Sequence, residues 1–324
     1  MMRSIGLAAA LAAAAIFSTS ALAGSAWDMP TPYGETNFHT VNILAFAKDV
    51  KASTGGELEI KIHSGGSLFK HPEIKNAVRG GQVPIGEFLL SRLSNESPIF
   101  GVDSVPFLAS DYDSAMKLWQ ASRPKVEALL DKQGMMVLFA VPWPPQGLYA
   151  KRELNSIDDL KGLKFRAYNA ATERLAKLAG AVPTQIELAD IAQAFATGRV
   201  ESVITSPSTG VNHKFWDFLT HFYHTQAWLP KNMVVVNKKA FARLDAKVQN
   251  AVLEAAKRAE ISGWQASRAE TDKMIAALKK NGILVNPPSA KLKAQLEAIG
   301  ATMTDEWAAQ AGAEGAAILK AYRR

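Results

Sequence analysis

Residues 245–280, DAKVQNAVLEAAKRAEISGWQASRAETDKMIAALKK, contain no proline and repeat an apolar residue about every four positions, at Val248, Val252, Ala255 and Ala259. That spacing places them on one face of a helix. Asp245 suits the N-cap, and Gly282, just past Lys280-Asn281, marks the end. Unbroken, such a helix extends about 50 Å, more than the width of one small domain. Gly263 offers a break into two ordinary helices. If the helix is unbroken it must touch two lobes, and a cleft between lobes that share elements is a frequent ligand site.

Outward from this segment, strand-like and helical stretches alternate. Leu58–Ile62 alternates strictly; Met135–Val141, Leu163–Tyr168, Ser202–Thr205 and Met233–Val236 are short apolar runs of strand type. Runs without alternation fit strands covered on both faces, as in a parallel or mixed sheet. Between them, helical patterns end at glycines: Asp113 to Lys132 before Gly134, Ala170 to Leu178 before Gly180, Ala189 to Thr197 before Gly198, and Thr40 to Lys51 before Gly55-Gly56. The plan is α/β, and no internal repeat is visible.

The composition closes several routes to function. The 324 residues include no cysteine, which removes thiolate metal sites, cysteine nucleophiles and disulfides. A 48% hydrophobic content is ample for a large core. The formal charge of +7 is interspersed, its nearest run being Arg323-Arg324, so no nucleic-acid surface is expected. The field biases the chain weakly toward an anionic small ligand or a membrane-surface partner. Residues 1–23 read as an export signal: Arg3, an apolar run from Ile5 to Phe17, and the box Ala21-Leu22-Ala23 before Gly24. The expectation is cleavage after Ala23 and a periplasmic protein. No GxSxG, Walker A or GxGxxG motif is present, and no cofactor is expected. His221 and His224, three apart, could chelate on a helix but read as surface or packing histidines. Glu73 and Glu87 read as surface or packing carboxylates, not an acid/base pair.

One residue stands out for ligand chemistry. In Asp159–Asn169, DLKGLKFRAYN, Leu163 and Phe165 face one side of a strand and Lys164 and Arg166 the other. Arg166 thus comes near the strand's carboxyl end, where open α/β sheets bind ligands, and a guanidinium can grip a carboxylate through two parallel hydrogen bonds. A salt-bridged surface arginine is the competing reading. Tyr168, Asn169 and Gln146 are candidates to orient a hydroxyl or keto oxygen. Trp27, Tyr33, Phe38, Phe88, Trp143 and Trp228 lie near predicted turns. Each singly reads as core packing, and together they suit an apolar or aromatic acid.

The LKGLKFR run, residues 160–166, resembles the LKGLKIR-type signature of the DctP-like solute-binding proteins of tripartite ATP-independent periplasmic (TRAP) transporters. SGGSLFKHPEIKNAVRGGQVPIGE (64–87), SVPFL (104–108), QAWLPKNMVVVNKKAF (226–241) and the long segment after Asp245 agree in order with that family over essentially the whole mature chain. The resemblance implies an α/β, two-lobed periplasmic binding protein with a ligand cleft between the lobes and a long helix spanning both. Residues 24–143 and about 232–271 would form the first lobe, and 144–231 and about 272–324 the second. It also implies that Arg166 bonds the substrate carboxylate. Where the family often has an asparagine in the next strand, this chain has Thr205 and Ser206 within Ile204–Pro207, so hydroxyls stand in for an amide. Some sialic-acid-type members carry a second arginine twenty positions earlier, and here that position is Gln146. The difference favours a monocarboxylate.

The expected function is therefore a monomeric receptor that closes around a small organic monocarboxylate (an aromatic, 2-oxo or hydroxy acid) and hands it to the small and large TRAP membrane subunits. A periplasmic enzyme acting on organic acids and a ligand-sensing subunit for a membrane kinase are the alternatives. The first would need an acid/base pair, and none is evident.

Overall fold

The computed structural model describes residues 25–324, and the export segment with its cleavage after Ala23 lies outside the described residues. The first lobe begins with β1 (Ser25–Pro30), α1 (Phe38–Ser53), β2 (Leu58–His63), α2 (His71–Arg79), β3 (Ile85–Leu89), α3 (Tyr112–Asp131) and β4 (Met135–Pro142). The second lobe follows with β5 (Gly147–Ala150), β6 (Lys164–Ala167), α4 (Ala170–Leu178), β7 (Val182–Gln185), α5 (Ile191–Ala196), β8 (Ser202–Thr205), α6 (Pro207–Asn212) and β9 (His221–Tyr223). The chain then returns through β10 (Lys231–Asn237) and α7 (Lys238–Ala242) to α8 (Ala246–Lys280), β11 (Leu284–Asn286) and α9 (Ala290–Tyr322).

In the first lobe β1 and β2 pair in parallel, and β10 lies between β3 and β4, antiparallel to both. In the second, six strands run in the order β11-β9-β5-β8-β6-β7. The unalternating apolar runs are explained by this: all seven residues of β10 and all four of β8 are buried, with neighbours on both sides and helices over the faces. β9 corrects the idea of a helical histidine pair. His221 opens the strand and His224 lies just past its end, so no helix turn brings the two rings together, and His221 bonds instead to the Thr220 hydroxyl at 2.8 Å.

The lobes are joined by a ribbon. β4 pairs antiparallel with β10, and beyond the crossover β5 pairs antiparallel with β9. The linking stretches also pair: Trp143 N–H donates to Pro230 C=O at 2.8 Å, Gln146 N–H to Trp228 C=O at 2.9 Å, and Ala227 N–H to Gln146 C=O at 2.9 Å. Prolines 142, 144 and 145 carry no N–H and hold φ near −65°, so the PWPPQ stretch leaves no crossing donor unpaired.

α8 is unbroken through Gly263. Its first half packs on α1 and β4, with Asn42 Nδ2 donating to Ala259 C=O and Trp264 Nε1 to Ala140 C=O, each at 3.0 Å. Its last turns pack on α6 and β11, with Leu278 in the second-lobe core. Gly263 is the point of closest approach, not a break: a Cβ there would lie 2.4 Å from Val141 Cγ2 and 2.9 Å from Asn42 Nδ2. α9 also serves both lobes. Leu292, Leu296 and Met303 lie in the same core cluster as Leu160 and Leu175 of the second lobe. Past them, Trp307 Nε1 donates to Pro98 C=O at 2.7 Å and Tyr322 Oη to Leu108 C=O at 2.8 Å. The segment 272–324, expected on the second lobe, thus ends against the first, because Gly300 lets the helix pass over the Pro106 carbonyl (2.5 Å from a would-be Cβ).

An alanine at an open helical glycine ordinarily stabilises by up to about 1 kcal/mol. Gly263→Ala should instead destabilise by about 1–3 kcal/mol, because the methyl must displace Val141 or lift α8 from β4. Urea unfolding of the two proteins measures this, and a more stable variant would contradict the packing.

Candidate functional site

Arg166 sits on interior strand β6, between β7 and β8. The alternation read from the sequence holds: Phe165 is in the core and Lys164 is exposed. Arg166 itself is only 3% exposed. Its Nε donates to Ile186 C=O at 3.1 Å, and its guanidinium carbon lies 4.9 Å from the Tyr168 ring centre. Among the described residues, no carboxylate forms a salt bridge with it, and its two terminal nitrogens have no hydrogen-bond acceptor. Burial pulls its pKa down to about 10, which still leaves a cation at neutral pH. A buried cation without a counter-ion is costly, and a bound anion would relieve that cost.

The cavity beside Arg166 has a volume of about 50 Å³. Tyr33, His71, Leu89 and Arg92 line it from the first lobe, and Trp143, Gln146 and Pro230 from the ribbon. Arg166, Tyr168, Glu187, Leu188, Thr205, Ser206 and Thr209 line it from the second. Seven of the residues singled out in the sequence therefore meet here: Arg166, Gln146, Tyr168, Thr205, Ser206, Tyr33 and Trp143.

Their polar groups are unequally committed. Gln146 donates to Pro144 C=O at 2.8 Å and accepts from Tyr168 Oη at 3.2 Å, so it sets the tyrosine beside Arg166. Ser206 caps α6, accepting from Thr209 N–H at 3.1 Å. The Thr205 hydroxyl has no hydrogen-bond partner among the described residues.

The other candidates lie elsewhere. Asn169 caps α4 through Oδ1 and donates through Nδ2 to Ser91 Oγ at 2.9 Å, which ties the lobes together. Trp27 belongs to β1 and the core; Phe88 points into the other core of the first lobe, opposite Glu87. Phe38 packs edge-on against Trp143 with ring centres 5.5 Å apart, and Trp228 is fully buried behind the ribbon.

Seven of the fourteen lining residues are missing from the sequence reading, among them three with titratable side chains, Arg92, Glu187 and His71. Arg92 donates to Glu187 through two nitrogens, at 2.7 and 3.1 Å, across the cleft. Ninety-five positions separate them, so no local signal reveals the pair. His71 opens α2; its place just before Pro72, after the Gly65-Gly66 turn, marks a helix start, but nothing in the spacing aims it at a ligand.

Behind Tyr33 and Trp143 lies a buried polar network. Both donate to Asn232 Oδ1 at 3.0 Å. Asn232 Nδ2 donates to Glu87 at 3.0 Å, and Thr31 Oγ1 donates to its other oxygen at 2.6 Å. Burial pushes the Glu87 carboxyl up to about 7 despite these bonds. His39 Nδ1, 3.5 Å away, is held neutral by burial. Among the described residues, no His/Cys/Asp/Glu group has the geometry of a metal site.

The chain belongs to the DctP family: the model of bacterial extracellular solute-binding proteins, family 7, matches residues 32–310. Members of this family are solute-binding receptors of TRAP transporters, which bind small organic acids extracytoplasmically and work with membrane subunits. None of the described helices is long and apolar enough to cross a membrane. DctP6 of Bordetella pertussis, an extracytoplasmic solute receptor binding pyroglutamic acid, is 46% identical, with a TM-score of 0.91 over 92% of this chain and 99% of that one. A marine-metagenome TRAP solute-binding protein specific for pyroglutamate is 43% identical, with a TM-score of 0.91 over 93% and 99%. The 2,3-diketo-L-gulonate-binding periplasmic protein YiaO of Escherichia coli is 26% identical over 99% of this chain and 98% of its own.

The Glu87 network carries a pH signature. With its pKa raised from 4.5 to about 7 in the fold, Glu87 favours the folded state most below its unfolded pKa, and that contribution is lost as pH rises through about 7. His39, its pKa lowered, acts with the opposite sign: its contribution is lost as pH falls. Comparison with Glu87→Gln isolates the carboxyl. Wild type should lose about 2 kcal/mol relative to the variant between pH 5 and 8, and parallel urea-unfolding stabilities would show that Glu87 is ionised throughout.

Proposed function

We propose that this protein is a periplasmic receptor for a small, compact monocarboxylate, with pyroglutamate the leading ligand, and that it delivers that ligand to TRAP membrane subunits. The observation that carries the reading is Arg166: buried, held at Nε, with neither terminal nitrogen bonded to an acceptor among the described residues. A carboxylate can take both through parallel hydrogen bonds. The site is then specific for one negative charge. Arg92 is already neutralised by Glu187, so the cavity holds a net single positive charge. A dicarboxylate would set its second anion against Glu187.

The small cavity and its aromatic walls, Tyr33 and Trp143, suit a compact ring. The pyroglutamate receptors, at 43% and 46% identity, support the same class. Binding would favour the closed arrangement, because the ligand gains contacts from both lobes only when they meet. Within this reading the protein acts as a monomer after its export segment is removed.

Calorimetry on ligand-stripped protein tests the assignment. Arg166→Ala should weaken pyroglutamate binding by at least about thirtyfold, because the ligand anion would be buried without its partner. Tight binding in that variant would refute the clamp. Glu187→Gln adds a net positive charge to the cavity and should strengthen binding of a short dicarboxylate such as glutarate relative to wild type. An unchanged or weaker glutarate affinity would show that Glu187 does not set the charge rule.

A further inference from the structure

His71 is a cavity-lining group whose hydrogen-bond role the fold fixes from behind. Its Nε2 lies 3.1 Å from the Leu89 backbone N–H and accepts from it. A ring nitrogen that accepts carries no proton, so the neutral ring carries its proton on Nδ1. Among the described residues nothing hydrogen-bonds Nδ1. The ring is held edge-on to Tyr33, centres 5.8 Å apart, and lines the cavity opposite Arg166. Burial and the two nearby guanidiniums, Arg92 and Arg166, keep the ring neutral. The cavity thus has a charged donor on the second lobe and a neutral, fixed donor on the first.

Resting on the reading of Arg166 as the carboxylate clamp, we infer that His71 Nδ1–H is the specificity determinant that reads an uncharged acceptor oxygen on the ligand, such as the ring carbonyl of a lactam acid. A ligand with a carboxylate at one end and a neutral acceptor at the other bridges the lobes, Arg166 to His71. An acid without the acceptor engages Arg166 alone and leaves the His71 N–H buried and unpaired when the lobes meet. An amino acid fares worse: its ammonium would face an N–H donor and the uncompensated charge of Arg166, with Glu187 already committed to Arg92. The arrangement thereby separates a lactam acid from its amine counterpart of nearly equal size.

Two substitutions split the functions of the ring. His71→Gln can still offer an oxygen to Leu89 N–H but loses the donor at the Nδ1 position. His71→Asn keeps an N–H near that position and loses the distant acceptor. Calorimetry on the full mature chain would use pyroglutamate, and cyclopentanecarboxylate, which has the ring and the carboxylate but no acceptor, measured by displacement of pyroglutamate. Thermal unfolding of each ligand-free variant checks the fold. The expected result is a loss of about tenfold or more for pyroglutamate in His71→Gln, with cyclopentanecarboxylate within about twofold of wild type. His71→Asn should recover much of the pyroglutamate affinity. Unchanged pyroglutamate binding in His71→Gln, or equal losses for both acids, would overturn the role of His71 while leaving Arg166 as the clamp. Failure of the wild-type protein to bind pyroglutamate would instead overturn the ligand class, and the His71 inference with it.

Discussion

The cleft is organised around a cation that the fold buries without neutralising. Arg166 is placed by the pleat of β6 and steadied by a single carbonyl, Ile186. Every neighbouring group is compatible with leaving its outer edge open. Tyr168 offers a ring face, Gln146 is occupied in holding that tyrosine, and Glu187, the one carboxylate lining the cavity, is turned to Arg92. Had Glu187 faced Arg166, the site would be self-satisfied and would have little to offer an anion. The Arg92–Glu187 pair therefore does two jobs, cancelling one positive charge and tying the lobes at the cavity wall.

The remaining architecture keeps the two sides of the cleft in register. The β4–β5 and β9–β10 connections form one antiparallel ribbon through the hinge, with Trp143 and Gln146 on it facing the cavity. α8 and α9 cross on the outside. The two ribbon residues that touch the cavity thus sit on the paired connections between the lobes themselves.

Much of this was legible in the sequence because it depends on local periodicity. The helical character of α8, though not its continuity through Gly263, the strand identity of β4, β8 and β10, and the side of the strand that Arg166 takes all follow from spacing. What was hidden depends on partners far along the chain. β3 reads poorly as a strand because IGEFL contains a glycine and a carboxylate, and Glu87 is tolerated there only because Thr31 and Asn232 donate to it. α9 was missed because Gly300, Gly312 and Gly315 interrupt its apolar pattern, two of them for close packing. Proximity to turns could not separate Tyr33 and Trp143, which line the cavity, from Trp27, Phe88 and Trp228, which fill cores. That distinction rests on where the strands and connecting loops that carry them come together once the two lobes are assembled.

The position of β10 has a consequence for the order in which the molecule can be built. β3 and β4 do not touch as strands; β10 lies between them and pairs with both. It is encoded after every strand of the second lobe except β11. During synthesis, the first half of the chain therefore waits with two unpaired hydrophobic strands, while the later half already contains nearly all it needs for its own sheet. The lobe that begins the sequence therefore closes its three-stranded sheet only after five of the six strands of the other lobe have been made. A chain halted before residue 231 could not close its first sheet, so a precursor held short of that point would remain open to chaperones and to passage across a membrane.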